Sequence, residues 1–272
     1  MTEPVVEPFT KGLERMNRFQ EPEAHTLIAD LGLPEGSYGL DVGCGVGLYA
    51  LWLAEVVGGR VVGIEPSAER VEAARELVGH VLPPPRLLFR EGDATKLDAA
   101  DATFDWVWCG DVLHHMQDTA GALAELARVV RPGGRIVIKE SQLLHGVYLP
   151  GHPALERRLR QAETDFSRHE GGEYSFEERR QRTLASLRAA GLAVESFRTY
   201  LLERRAPLPD AARDYIQRVV FDRNWGPRLR DRLTPDDWEK RSALCDADSP
   251  ACVLADPDYY CLYPISVLVA GR

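Results

Sequence analysis

Short apolar runs alternate with segments of helical periodicity along the first half of the chain. The apolar runs have the length and composition of buried strands, and they occupy residues 37–42, 60–64, 87–90, 104–109 and 134–139. The helical segments between them span residues 48–57, 68–78 and 120–130. Parallel strands need crossover helices on both faces of a sheet, so this alternation predicts a doubly wound α/β fold. In such a fold the ligand crevice lies at the carboxyl ends of the strands, where the strand order reverses.

The pattern changes after residue 140. Helical periodicity predicts helices at 153–166, 176–190 and 210–221, and apolar runs predict strands at 193–202 and 260–270. An N-terminal helix is expected to end at Leu33-Pro34-Glu35-Gly36, before the first strand. Of the 22 Phe, Trp and Tyr residues, 13 follow residue 140. These rings fit either a pocket for a bulky, partly apolar substrate or ordinary core packing.

Composition and charge exclude several classes of protein. With 33 Lys and Arg against 42 Asp and Glu, the net charge of −9 works against binding to a nucleic-acid backbone. No apolar run approaches the ~18 residues of a membrane span, and the N-terminus lacks the layout of a secretory signal, so we expect a cytoplasmic protein without a membrane partner. The odd number of cysteines, in no metal-ligand spacing, predicts reduced, mostly buried thiols. They are Cys44, Cys109, Cys245, Cys252 and Cys261.

A glycine-rich loop directly follows the first predicted strand and opens a helix. It carries Asp41, Gly43, Gly45 and Gly47 at alternating positions. Glycines are required there because the chain turns sharply and because side chains would block a ligand from the amides at the helix N-terminus. A dinucleotide-binding loop would place its third glycine at position 48, which is Leu48 here. The spacing therefore favours a nucleoside ligand other than NAD.

Acidic residues close the next two predicted strands. Glu65 ends the second strand, where a carboxylate can accept hydrogen bonds from both hydroxyls of a ribose. Asp93 follows the third strand and can accept from the exocyclic amine of adenine, while the Ala94 amide can donate to a ring nitrogen. Each acidic residue could instead cap a helix or be a solvated loop carboxylate. Together with the acidic residue of the glycine loop, they predict an adenosine site.

Ordered motifs between residues 39 and 140 resemble those of the class I S-adenosylmethionine-dependent methyltransferases. The resemblance is to the small-molecule branch related to the ubiquinone and menaquinone methyltransferases. The motifs that carry it are Asp41-x-Gly43-x-Gly45-x-Gly47, Glu65, Gly92-Asp93-Ala94, Phe104-Asp105, Val112-Leu113-His114-His115 and Arg131-Pro132-Gly133-Gly134. The resemblance implies a seven-stranded, mostly parallel sheet whose last strand, at 260–270, runs antiparallel.

The resemblance also implies how the cofactor S-adenosylmethionine is held. The glycine loop would lie along its methionyl part, Glu65 would bind the ribose, and Asp93 with Ala94 would frame the adenine. The backbone at Cys109 and Gly110 would face the sulfonium.

The resemblance divides the chain by function as well. Residues 1–140 would form the cofactor-binding core with N-terminal helices, and residues 141–272 would supply acceptor-selecting helices, inserted after the fifth strand, plus the last two strands of the same sheet. A helix at 9–20 would cover the cofactor, with Arg18 and Phe19 near it, although an amphipathic surface helix explains the same residues. The acceptor-selecting segments carry Tyr215, Phe221, Trp225 and Trp238, which suit an aromatic or lipophilic acceptor.

Two adjacent histidines are our candidates for a general base. His114 and His115 follow the fourth strand, and imidazole has its unperturbed pKa nearest neutrality. Either could instead pack against the cofactor or cap the next helix, and no further ligand spacing nearby indicates a metal site. Asp111 could orient a histidine or cap the turn before Val112. The other candidate bases are His145, Tyr148, His152, His169 and Tyr174.

The leading hypothesis is methyl transfer to a small organic acceptor at oxygen, nitrogen or activated carbon. The alternative is a protein that binds S-adenosylmethionine without transferring its methyl group, as a regulator or as a catalyst of another reaction. Leu48 argues against a nicotinamide oxidoreductase. The acidic charge and the lack of an Asn-Pro-Pro-Tyr-type motif argue against a nucleic-acid or protein methyltransferase.

Overall fold

A computed structural model describes residues 9–116, 118–141, 143–169 and 176–272. Its centre is one seven-stranded sheet. The strands are β1 (Tyr38–Val42), β2 (Arg60–Glu65), β3 (Leu87–Glu91), β4 (Phe104–Gly110), β5 (Val130–Ser141), β6 (Ala193–Arg205) and β7 (Tyr260–Gly271). They are ordered β3-β2-β1-β4-β5-β7-β6; β1 to β5 pair in parallel, and β7 is antiparallel to β5. The predicted doubly wound sheet is thus confirmed, with its order reversing between β1 and β4.

The helices lie largely where the periodicity predicts them. The α-helices of the described residues are α1 (Phe9–Asp30), α2 (Leu48–Val57), α3 (Ala68–Val78), α4 (Thr119–Val129), α5 (Pro153–His169), α6 (Phe176–Ala189), α7 (Asp210–Asp214) and α8 (Pro235–Cys245). The 3₁₀ helices are Leu113–His115, Pro227–Arg232 and Val253–Ala255. Both α2 and α3 keep the predicted bounds. No helix in the described ranges is long and apolar enough to cross a bilayer.

The chain forms two compact units. The sheet unit comprises Glu21–Leu144, Phe176–Tyr200 and Pro264–Arg272. The helical unit comprises the described residues of Met1–Gln20, His145–Ser175 and Leu201–Tyr263. The division predicted between residues 140 and 141 concerns function, and it stays a prediction.

Each face of the sheet is covered by a different set of side chains. Successive side chains of a strand point to opposite faces, which explains why these strands read as continuous apolar runs. Leu40 and Val42 of β1 belong to the buried cluster that includes Leu123 and Leu126 of α4. On the other face the ring of Trp108 stacks on that of Tyr49 from α2, with centroids 5.3 Å apart. The intervening residue of β1, Asp41, therefore faces the side of α2.

The outermost strand, β6, is mostly exposed and carries charged residues. It is an edge strand of the sheet, and its neighbour is β7. Val194 and Leu201 are among its exposed apolar residues, at 38% and 60% accessibility. Its charged residues are Glu195, Arg198, Glu203, Arg204 and Arg205.

The predicted helix at 210–221 is wrong in type. The chain forms only the short α7 there and continues as a π-helix over Tyr215–Asn224. Its hydrogen bonds span five residues, as in the 2.8 Å bond from the Trp225 amide to the Val220 carbonyl. Hydrophobic periodicity does not distinguish this wider helix from an α-helix.

Arg241 of α8 completes the C-terminal end of the π-helix. Its guanidinium is buried and donates to the Trp225 carbonyl at 2.8 Å and to the Phe221 carbonyl at 2.5 Å. It also pairs with Asp246. Carbonyls at the end of a helix lack partners within the helix, so this side chain supplies donors that the π-helix does not.

We expect Arg241→Leu to lower the free energy of unfolding by about 2–4 kcal/mol, because two buried carbonyls lose their donor. Urea denaturation would measure the change. Arg230→Leu is the matched control, since both guanidiniums lie over the Trp238 ring, at 5.9 Å for Arg230 and 5.3 Å for Arg241, but Arg230 is exposed. Equal losses in the two variants would contradict the assignment of Arg241 as the cap of the π-helix.

Candidate active site

The glycine loop leaves β1 and enters α2 with left-handed backbone conformations. Gly43 has φ +70° and Gly47 has φ +79°. A Cβ atom on Gly43 would lie 2.2 Å from Cγ2 of Val112, and one on Gly47 would lie 2.6 Å from Cζ of Phe89. Both the backbone conformation and the close packing therefore require glycine at these positions.

Asp41, at the start of the glycine-loop motif, is a buried carboxylate with an unmatched oxygen. It is 1% exposed, and its Oδ2 has no hydrogen-bond partner among the described residues. Burial raises the pKa of Asp41 to about 8, with a further contribution from the charge of Glu65 and an opposing one from Lys139. A buried acceptor without a partner is costly, so this oxygen marks a place where a bound group can donate.

Glu65 is buried at the end of β2 and already holds several donors. Its Oε2 accepts from the Gly45 amide at 3.1 Å, and its Oε1 accepts from the Ser67 amide at 3.2 Å and from Nε of Arg70 at 2.8 Å. This carboxylate therefore ties the glycine loop to α3. Its predicted contact with a ribose stays a prediction, and the sequence analysis missed Arg70.

Asp93 is exposed after β3, and Ala94 beside it is buried. Oδ1 of Asp93 accepts from both the amide and the hydroxyl of Thr95 at 2.8 Å. These two bonds, the backbone one first, hold the pKa of Asp93 below its usual range. Its carboxylate is thus ionised and fixed in a turn, and the predicted adenine contacts stay predictions.

Cys109 and Gly110 end β4. The Cys109 thiol is fully buried, and burial together with the charge of Glu140 raises its pKa well above the usual value. All five cysteines are buried free thiols. A Cβ atom on Gly110 would lie 2.7 Å from Nε1 of Trp108, so the backbone there stays bare. That these residues face a sulfonium stays a prediction.

His114 pairs with a carboxylate that the sequence analysis missed. Its Nδ1 lies 2.8 Å from Oε2 of Glu140, whose side chain is 2% exposed against 15% for His114. The second oxygen, Oε1, is buried, and the part of the chain that the structure describes gives it no hydrogen-bond partner. With a carboxylate at Nδ1, the neutral imidazole carries its proton there and presents Nε2 as an acceptor. Glu140 could have been found from sequence, because β5 follows β4 in a doubly wound sheet and this residue lies at its carboxyl end.

His115 is the exposed member of the pair. Its ring centroid lies 4.0 Å from that of His114. The two rings share the 3₁₀ helix Leu113–His115 that follows β4. No group of three His, Cys, Asp or Glu side chains among the described residues is arranged to hold a metal ion.

Asp111 does not cap this helix, so that interpretation is wrong. The 3₁₀ helix has no side-chain cap. The carboxylate of Asp111 accepts instead from Nζ of Lys139 and from the amide and hydroxyl of Ser141, at 2.5 and 3.0 Å for the last two. Bonding to β5 is more favourable than capping the helix, because it neutralises the buried ammonium of Lys139.

The remaining candidate residues belong to the helical unit or are not described. His145 and His152 are exposed, and Tyr148 is buried. Tyr174 and the side chain of His169 lie outside the described residues.

The two residues of α1 named for the cofactor have partners within the helical unit. Phe19 is buried and stacks on Tyr215 with ring centroids 4.6 Å apart. Arg18 pairs with Glu14 at 2.9 Å. Their predicted contact with the cofactor stays a prediction.

Part of the sheet unit matches a known family, and about half of the chain is similar to curated proteins. Residues 40–138 match the family model described as a methyltransferase domain. The O-methyltransferase cnsE of Penicillium expansum is 39% identical over 123 residues, which are 45% of this chain and 44% of that protein. The demethylmenaquinone methyltransferase of Staphylococcus aureus is 32% identical over 144 residues, 50% of this chain and 58% of that protein. The chain spans about half the length of the curated relatives it matches.

Solved structures share the fold. The [4+2]-cyclase SpnF superposes with a TM-score of 0.54 at 24% identity, covering 91% of this chain and 80% of that one. The likeness extends well beyond the residues that the family model matches. Residues 40–138 of this chain, which contain most of the motifs, thus match the methyltransferase domain family.

Proposed function

We propose that this protein transfers a methyl group from S-adenosylmethionine to a hydroxyl group of a small organic acceptor, with His114 as the general base. The observation that carries the proposal is the 2.8 Å contact between Nδ1 of His114 and the buried Glu140. A histidine oriented by a carboxylate is an arrangement that removes a proton from a nucleophile. The relative named as an O-methyltransferase supports oxygen as the atom methylated.

The residues present fit the cofactor. The unmatched Oδ2 of Asp41 suits the ammonium of a methionyl group. Glu65 would hold the ribose, while Asp93 and Ala94 would hold the adenine, and Cys109 with Gly110 would border the sulfonium. When bound, the cofactor supplies a methyl group that is already electrophilic.

The chain itself has two tasks in such a reaction, namely to orient the acceptor and to remove its proton. Nε2 of His114 would take the proton of the acceptor hydroxyl while the oxygen gains the methyl group and the methyl–sulfur bond of the donor breaks. Glu140 keeps the imidazole in the correct tautomer and stabilises the imidazolium that results. A placed base contributes about 10²–10⁴ in rate, and orientation of the reacting groups contributes up to about 7–11 kcal/mol.

We assign selection of the acceptor to residues 141–272. These residues include buried aromatic rings, such as Phe221 and Trp225, which stack with centroids 5.9 Å apart. Tyr148 meets Trp225 edge to face at 5.8 Å. Aromatic surroundings favour an aromatic or lipophilic acceptor.

The second candidate is a protein that binds the cofactor and catalyses a reaction without methyl transfer. It is favoured by the solved cyclase of the same fold, since that name describes a different reaction. The two candidates differ in their product, because only methyl transfer converts S-adenosylmethionine to S-adenosylhomocysteine. Turnover of the labelled methyl group with any acceptor therefore separates them.

We expect His114→Ala to lower kcat by about 10²–10⁴, because the acceptor loses its base. Transfer of a radiolabelled methyl group to a panel of catechols, hydroxyquinones and hydroxylated lipids would identify an acceptor for the wild type and then measure the variants. His115→Ala is the control and should change kcat by less than about tenfold. Unchanged turnover in both variants and in the double variant would exclude a histidine base.

Replacing the partner of the base should have a smaller effect. Glu140→Gln keeps an acceptor near Nδ1 but removes the charge that stabilises the imidazolium, so we expect a loss in kcat of about 10–100-fold. The same methyl-transfer assay measures it, with Glu125→Gln as the control, because Glu125 of α4 is half-buried and binds Arg128 instead of a histidine. A loss equal to that of His114→Ala would indicate that Glu140 is itself the base.

Cofactor binding should weaken at acidic pH through Asp41. Its pKa of about 8 means that the free protein carries a proton there at pH 6, which must leave before an ammonium can bind. Calorimetric titration with S-adenosylhomocysteine should therefore show affinity falling by about 10–50-fold from pH 8 to pH 6.

The Asp41→Asn variant should bind more weakly at pH 8 and lose this pH dependence. Asp93→Asn is the control, because the lowered pKa of Asp93 keeps that group ionised over the whole range. An affinity of the wild type that is constant between pH 6 and pH 8 would contradict the proposed contact with Asp41.

A further inference from the structure

The residue at the exit of β4 adopts a backbone conformation that its side chain must maintain. Asp111 has φ +55°, the left-handed region that residues other than glycine rarely occupy. Such a conformation is energetically unfavourable and persists only where the surroundings enforce it. The Asp111 amide donates to the Lys139 carbonyl at 2.8 Å, and the carboxylate binds Lys139 and Ser141 as described above. The exit of β4 is thus fastened to β5 by both backbone and side chain.

Lys139 is a buried cation whose partners lie at the same end of β5. Its side chain is 1% exposed, and Nζ donates to the carboxylate of Asp111 and to the hydroxyl of Ser141, the latter at 2.9 Å. The ammonium also lies 4.9 Å from the centre of the Tyr49 ring. Burial acts to raise the pKa of Asp111, but the Lys139 charge and the donors on Ser141 outweigh it and hold that pKa below its usual value. The carboxylate of Asp111 is therefore ionised at neutral pH.

Three consecutive residues of β5 bind the two ends of one short segment. Side chains alternate along a strand, so Lys139 and Ser141 point to one face of the sheet and Glu140 to the other. The first two hold Asp111, and Glu140 holds His114, three residues further along the chain. Any slippage of the segment 111–114 along β5 would break both sets of bonds at once.

We propose that Asp111, Lys139 and Ser141 are positioning residues that fix His114 against Glu140. The proposal rests on the proposed function, in which His114 is the base. The ion pair acts through the backbone: it holds the left-handed turn at residue 111, and that turn sets where the 3₁₀ helix presents the imidazole. Asn at position 111 would tolerate the same backbone conformation but would not neutralise Lys139.

Exchange of the imidazole Nδ1 proton of His114 tests this arrangement without any acceptor. A proton held in a hydrogen bond to a buried carboxylate exchanges slowly with water and resonates far downfield in the proton NMR spectrum. Its signal is assigned by its absence in His114→Ala. We expect Asp111→Asn and Lys139→Met each to accelerate this exchange at least tenfold, while backbone amide spectra show that the fold is kept.

Two further variants test the proposal in case Asp111→Asn or Lys139→Met fails to fold. Ser141→Ala removes one hydroxyl and no charge, and we expect an intermediate acceleration. Asp118→Asn is the matched control, since Asp118 caps α4 through a 2.8 Å bond from the Gly121 amide and does not bind β5. Exchange at the wild-type rate in the folded Asp111, Lys139 and Ser141 variants would overturn the proposal, as would equal acceleration in Asp118→Asn.

The outcomes separate this proposal from the proposed function. Accelerated exchange in the three variants, together with full turnover by His114→Ala, would establish the positioning of His114 and refute its role as the base. Unchanged exchange in the three variants, together with a large loss of turnover in His114→Ala, would refute the positioning role and support His114 as the base. The double variant Asp111→Asn with Lys139→Met should exchange no faster than either single variant if the ion pair is the unit that acts.

Discussion

Compensation of buried charge at the carboxyl ends of β1, β4 and β5 is the constraint on which the site depends. Asp41, Asp111, Lys139 and Glu140 are each nearly or largely shielded from water at this edge of the sheet. An unpaired charge in such surroundings costs several kcal/mol, so each must find a partner or change its ionisation. Asp111 and Lys139 pair with each other, and Glu140 binds His114 through one of its two oxygens. Oδ2 of Asp41 has no hydrogen-bond partner among the described residues, and burial together with the charge of Glu65 raises the pKa of this carboxyl group.

Some buried charged groups of the site have all their hydrogen-bond partners within the chain, and others have an oxygen without one. The pair at Asp111 and the pair at His114 are satisfied by residues of the sheet unit alone. The unmatched oxygens of Asp41 and Glu140 are acceptors for which the described residues supply no donor. A bound ligand with a donor at the right place would gain a strong hydrogen bond there without displacing an existing one. The oxygens that can bind a ligand are therefore different from the atoms that hold the cluster together.

The fold could be predicted from the sequence because its signals are local. Continuous apolar runs define the parallel strands, and the glycines at positions 43 and 47 are required by backbone conformation and by contacts within a few ångströms. The sequence places Glu140 and Lys139 at the carboxyl end of β5, but their partners could not be assigned in the same way, because a strand residue in a sequence shows neither its face nor its partner. The π-helix was missed for a related reason, since its end depends on Arg241, which lies in a helix that comes later in the chain.

The open edge of the sheet has a consequence for contacts between molecules. The main-chain groups of β6 on its outer side form a template to which a strand of another molecule could add. Glutamate and arginine residues spaced along β6 oppose this, because a second strand laid against them would have to bring its own side chains into charge-matched register. The charged side chains of the exposed strand β6 thus disfavour edge-to-edge aggregation of the protein.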